Sequence, residues 1–349
     1  MYFFILALLL ALFTRPLLAA EMRYPAGEEP IELPAHSPLN TQLSRTTQSH
    51  EDKKIGAMSL YLTLMREDER NVWAPYQLAA SSAENGQTEL AERYLQLSAK
   101  RGLWYYYTLL EDDAFSSIQH RATYQSILAA TKARYLQHAH LFEGKASYAI
   151  PEGAPPSGGW PTVVFLHGYG KSANISPEER LLFSEMGVAY IEINGTQMLS
   201  ENSFRWSNYS EESTQSAILQ ALRLQAELKL NPQKIYLTAR GQGALHAANL
   251  LSRYPQFYAG AMLIAPNGGI KPAQQSLAAH KKVVVAYYDR QNFSDQALAL
   301  HFANLFRENN QVEALHFPQG ENAEGGWQAR FKRPLQWVLD QAPDATPGA

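Results

Sequence analysis

The spacing of apolar positions changes along the chain, and the changes divide it. Tyr2 to Phe13 is one apolar run, followed by Arg15-Pro16 and the small pair Ala19-Ala20. The run is short for a bilayer span and predicts an export signal over residues 1–20, cleaved near Ala20, with no stable membrane span afterwards. A retained anchor is the alternative; either places the body outside the cytoplasm, periplasmic or secreted. Residues 21–52 are polar, contain proline and keep no period, as a linker does. From Lys54 the spacing becomes helical. Tyr76, Ala79, Ala80 and Ala83 share one face, Gly86 interrupts, and Ala91, Tyr94, Leu95 and Ala99 share a second. This predicts a helix pair within residues 53–135. A lone pair cannot bury its own apolar side, so it is expected to brace the larger part of the chain or dock another protein.

Near Gln137 the period shifts toward strand, first weakly over His138 to Ile150. The apolar runs Thr162–Leu166, Val188–Ile193, Lys234–Thr238, Ala259–Ala265, Val283–Tyr288 and Val312–Phe317 follow, with helical stretches at about 213–228 and 330–340. Continuous apolar strands alternating with amphipathic helices predict an α/β domain over residues 136–341, a mostly parallel sheet covered on both faces, with a small all-α region before it. Residues 342–349 read as a disordered tail.

Composition narrows the chemistry. Apolar and aromatic residues make up 46% of 349, enough for a large core. A net charge of −3 without basic runs argues against nucleic acid as a partner. With no cysteine there are no disulfides or thiolate metal sites. His138, His140 and His167 lack the spacing of metal ligands, so neither metal nor cofactor is expected.

Three strings carry chemistry: Val164-Phe165-Leu166-His167-Gly168-Tyr169-Gly170, then Ala239-Arg240-Gly241-Gln242-Gly243 between a strand and a helix, then Tyr254-Pro255-Gln256-Phe257-Tyr258-Ala259-Gly260-Ala261. On these the region 138–340 resembles an α/β-hydrolase domain of the dienelactone hydrolase, carboxylesterase or polyhydroxyalkanoate-depolymerase-like kind. The helix pair resembles one tetratricopeptide or Sel1-like unit. The resemblance implies a nucleophile elbow, G-x-S-x-G, in which the serine position is held by Gly241. It implies an oxyanion pocket from the loop Gly168, Tyr169, Gly170 and the Gln242 amide, with Arg240 beside it as a ligand-binding candidate. The family's acid position falls on Gln291 and its base position on Glu321, or Asn322. Asp289, Asp295 and His316 are displaced candidates for those roles. Ser207, Tyr209 and Ser210 are candidates for the pocket mouth, and His246 on the elbow helix reads as structural.

Glycine has no atom with which to attack a carbonyl, and three family positions depart together. The expectation is therefore a non-catalytic binding or scaffolding protein of esterase-like fold, taking an ester, acyl or glycan-like ligand. Its rivals are an active serine hydrolase built from Ser207, His316 and Asp289, and an assembly protein without a ligand pocket.

Overall fold

The computed structural model describes residues 52–289, 293–317 and 326–342. The expected signal, linker and tail, and the positions Gln291, Glu321 and Asn322, lie outside the described residues. Five helices come first: α1 (Asp52–Glu67), α2 (Trp73–Glu84), α3 (Thr88–Lys100), α4 (Tyr106–Glu111) and α5 (Ala122–His138). The α2–α3 pair turns at Gly86, whose φ of 72° is one that glycine adopts without steric cost. Tyr76, Ala79, Ala80, Ala83, Ala91 and Leu95 are buried in the core of this unit.

The weak strand reading of 138–150 holds only for its end. Helix α5 runs to His138, a short 3₁₀ turn follows, and β1 is Ala146–Ala149. Beyond it come β2 (Trp160–Leu166), α6 (Pro177–Glu185), β3 (Ala189–Ile193), β4 (Gln197–Ser200), β5 (Ser203–Arg205), α7 (Glu212–Ala221), β6 (Leu230–Arg240), α8 (Gln242–Arg253), β7 (Gly260–Ile264), β8 (Lys282–Tyr288), α9 (Phe293–Arg307), β9 (Gln311–Phe317) and α10 (Gly326–Val338). Helix α6 starts on a capping box: Ser176 Oγ accepts from Glu179 N–H (3.1 Å) and Glu179 Oε2 from Ser176 N–H (3.0 Å).

Seven strands form one sheet in the order β1-β3-β2-β6-β7-β8-β9, parallel throughout except for β1 at the edge. Alternate residues of each strand enter opposite cores. Val164, Leu166, Ile191, Leu237, Ala239 and Leu263 pack with α7, α8 and α9. Val163, Tyr190, Tyr236, Met262 and Val284 pack with α6 and α10. The expected α/β-hydrolase architecture is thus observed: a mostly parallel sheet with helices on both faces and a strand–turn–helix at its centre. Among the described residues no helix is long and apolar enough to cross a membrane.

Residues 197–205, outside every apolar run read as a strand, form the β4–β5 hairpin, a two-stranded sheet separate from the seven-stranded one. Its Met198 and Phe204 are buried in the core of the helical unit. Their partners there lie about sixty or more residues back along the chain, so no local period announced the hairpin.

Candidate functional site

Strand β6 ends at Arg240 and α8 begins at Gln242, with Gly241 as the turn between them. Its φ of 53° and ψ of −122° form a conformation strained for any residue with a Cβ. The backbone around it is tied on both sides. Gly241 N–H donates to Ile264 O (2.9 Å), and Gly241 O accepts from Ala244 N–H (3.0 Å) and Asn267 N–H (3.1 Å). Gly243 serves packing: a Cβ there would stand 2.4 Å from Leu166 O, so only glycine lets α8 approach β2 this closely. The turn has the sharp strand–turn–helix geometry expected at this position, with no side chain at its apex.

Space for a side chain nevertheless exists. A Cβ on Gly241 would meet Asn267 Oδ1 and Gly168 Cα at 3.5 Å, ordinary contact distances. Asn267, which follows β7, therefore faces the position where a nucleophile would sit. Sequence reasoning assigned it no role, although the end of a strand beside the elbow is a usual place for a site residue. Two hollows among the described residues lie away from the elbow. One, of about 470 Å³, is bounded by the end of α8 and residues 271–277; the other, of about 320 Å³, lies by Glu185 and Gln336.

Several polar side chains close to the elbow are spent on protein partners. Gln242 is buried; its Oε1 accepts from Trp206 N–H (2.9 Å), while its Nε2 donates to Trp206 O (2.9 Å) and Asn208 Oδ1 (3.0 Å). What Gln242 can offer a ligand is its main-chain N–H, which as the first helical amide has no intrahelical acceptor. In the facing loop Gly170 N–H is taken by Phe204 O (2.9 Å), and the Tyr169 ring is 58% exposed.

Two imidazoles are held neutral. Gly195 N–H donates to His167 Nε2 (2.8 Å), so His167 carries its proton on Nδ1 and donates to Gly168 O (2.7 Å). His246 Nε2 donates to Ser207 O (3.1 Å), which leaves Nδ1 to accept from the Thr214 hydroxyl (2.9 Å). Burial disfavours the imidazolium and pulls each ring down to about 4. The Ser207 hydroxyl accepts from Tyr209 N–H (3.1 Å), a local turn bond, so His246 meets the Ser207 carbonyl and not its hydroxyl. Tyr209 is 84% exposed, and Ser210 beside it is half-buried.

Arg240 lies on the opposite face of the sheet from Trp206, its guanidinium 5.8 Å from the Phe331 ring centre. The same face holds Glu192, a buried carboxyl that sequence reading passed over inside an apolar strand. Its Oε2 accepts from Asn174 N–H (2.6 Å) and its Oε1 from the Tyr190 hydroxyl (2.9 Å). Burial first, and the nearby Glu179 charge to a lesser degree, push it up to about 7.

Asp289 and His316, far apart in sequence, are brought together: His316 Nε2 bonds Asp289 Oδ1, and the imidazole stacks on Tyr287 at 5.0 Å. Register explains this, since β8 pairs Tyr287 with His316 on β9. With strands roughly 4.8 Å apart, β8 and β9 lie ~10 and ~14 Å across the sheet from the elbow strand. Asp295 lies in the first turn of α9. His138 sits against Trp104 (5.5 Å) and His140 is exposed. Among the described residues no three acidic or histidine side chains gather as metal ligands would.

No family model and no curated protein matches this chain. Among solved structures it is similar over 60% of its length to a Bacillus cereus carboxylesterase, at 17% identity, covering 99% of that chain with a TM-score of 0.44. Over 58% it is similar to an esterase, Est2, of Thermogutta terrifontis, at 16% identity, covering 90% of that chain with a TM-score of 0.44. Over 87% it is similar to an uncharacterized protein of Bacillus cereus ATCC 10987, at 12% identity, covering 99% of that chain with a TM-score of 0.41. Scores and identities this low bear on neither activity nor ligand.

Proposed function

We propose that this chain is a binding or scaffolding protein built on an esterase-like framework and does not act as a serine hydrolase. One observation carries the reading: the elbow keeps its strained turn at φ 53° while residue 241 supplies no nucleophilic atom. The hydroxyl that the sequence offered as a substitute, that of Ser207, supports it by accepting a bond within its own turn. The shallow site between Tyr169, Asn267 and the Gln242 amide would then hold an ester, acyl or glycan-like group without turning it over. Export to the periplasm or beyond belongs to the same proposal and rests on the apolar run Tyr2 to Phe13. A mature amino terminus near Glu21 in the exported fraction tests it. The helical unit's use of a further protein partner, as a tetratricopeptide-like module, is likewise a proposal. The reading predicts that purified protein neither hydrolyses p-nitrophenyl acetate or butyrate nor reacts with a fluorophosphonate probe. Labelling at a single serine overturns it.

A second reading is favoured by one pair. Asp289 and His316 form the acid–imidazole couple that a working hydrolase needs, at the carboxyl ends of adjacent strands. If they serve catalysis, ester turnover is measurable in the wild type and falls at least about 100-fold in His316→Gln.

A further inference from the structure

We propose that the helical unit controls the order of the elbow through one dipeptide, Arg205-Trp206 at the end of β5. Arg205 faces the helices and is only 1% exposed. Its Nε donates to Gln197 Oε1 (2.8 Å), its guanidinium lies 4.8 Å from the Tyr107 ring centre, and its charge is met by Glu111 at the end of α4. Trp206, the next residue, faces the elbow. Its main chain is paired in both directions with the Gln242 carboxamide, and its Nε1 donates to His167 O (2.8 Å). Phe204, the residue before, holds the facing loop by accepting from Gly170 N–H and donating to Lys171 O, each at 2.9 Å. Three consecutive residues thus connect α4 to both walls of the site.

The asymmetry of the ion pair makes this a lever. Arg205 is buried, whereas the Glu111 side chain is 40% exposed and open to competition from solvent. When the carboxylate is withdrawn, a cation is left in a low-dielectric junction, a state proteins relieve by moving or by admitting water. Movement of β5 toward water carries Phe204 away from Gly170 and Trp206 away from Gln242. The reverse follows by linkage: a ligand that orders the elbow tightens the hairpin against the helices. Two further ties, the Tyr105 hydroxyl to Glu201 Oε1 (2.6 Å) and Thr108 Oγ1 to Leu199 O (2.7 Å), hold the hairpin's far end, while Met198 N–H, opposite Phe204, donates to the Tyr135 hydroxyl (2.8 Å) and Glu143 Oε1 (3.0 Å) and anchors β4 without touching Arg205.

This coupling goes beyond the proposed function and is independent of it, because its readout requires neither ligand nor turnover. Hydrogen–deuterium exchange of the full chain tests it, comparing wild type, Glu111→Gln and Tyr105→Phe. The expected result is at least about a tenfold rise in exchange of the hydrogen-bonded Gly170, Ala244 and Leu245 amides in Glu111→Gln, with the amides of β8 unchanged. Tyr105→Phe loosens the same junction without touching Arg205 and is expected to leave the elbow amides within about twofold of wild type. The proposal is overturned if the elbow amides of Glu111→Gln exchange as in wild type, if the rise spreads evenly into β8, or if Tyr105→Phe has the same effect as Glu111→Gln.

Discussion

At the elbow, His167, His246, Gln242, Thr214 and Ser207 are buried and hydrogen-bonded within the protein. At the β8–β9 edge, Asp289 and His316 are about half exposed and bonded to each other. The first region has the backbone of a catalytic turn without a reactive side chain. The second has an acid and an imidazole without a neighbouring hydroxyl on the elbow strand. The difference shows how separable the two halves of such a site are. The turn is maintained by packing constraints that also serve the fold, chiefly the close approach of α8 to β2. The acid–imidazole pair is about half exposed and carries less of the fold. Burial adds a chemical distinction, since an imidazole held down to about 4 stays neutral at physiological pH and cannot readily take a proton.

The comparison predicts that substitutions at the elbow cost far more stability than substitutions at the edge. The largest effect is expected from Gly243→Ala, whose Cβ would lie 2.4 Å from Leu166 O and 2.6 Å from His167 O. Helix and strand must separate, at a cost of about 3 kcal/mol or more in chemical denaturation. A loss below about 1 kcal/mol would mean that the frame is not under packing constraint.

The next effect is in pH. His167 and His246 sit at about 4 against 6.5 when unfolded, so the unfolded chain binds their protons first and stability falls as pH drops from about 6.5 toward 4. Glu192 sits at about 7 against 4.5, so the native state binds its proton and stability falls as pH rises from about 4.5 toward 7. Between pH 5 and 6 these slopes oppose one another. Glu192→Gln removes the opposing one and should steepen the rise of unfolding free energy with pH by nearly one proton, about 1.4 kcal/mol per pH unit relative to wild type. Parallel curves for the two proteins would show that Glu192 is ionised throughout.

Gly241→Ala comes third. The space over the elbow accepts a Cβ, so the cost is that of the positive φ alone, about 1–2 kcal/mol by the same denaturation measurement. Gly241→Ser should fold comparably, and the separation of the two regions predicts that it stays unlabelled by a fluorophosphonate. Labelling would show that Asp289 and His316 reach the elbow after all. The smallest effect is His316→Gln, less than about 1 kcal/mol because the pair is solvent-exposed. A cost equal to that of Gly243→Ala would erase the contrast between the regions.

Much of the fold was legible because its signals are local. Thr162–Leu166 and Val283–Tyr288 are apolar runs bounded by turn residues, and both became strands of the sheet. Gly86 and Gly241 announced turns that proved to need positive φ. Less of the site was legible. Trp206 belongs to none of the apolar runs or motif strings, yet it is the residue around which His167 and Gln242 are arranged. Asp289 and His316 were individually visible as candidates, but their pairing required the β8–β9 register.

The sequence by itself determined the class of sheet, the sharp turn at its centre and the absence of a nucleophile at residue 241, because each depends on residue type and short spacing. Only the tertiary structure decided that the β4–β5 hairpin belongs to the helical core, that Arg205 and Trp206 face different units, and that the two elbow histidines are neutral. Those outcomes rest on contacts between distant segments and on the dielectric that burial creates, neither of which is written in any short stretch of chain.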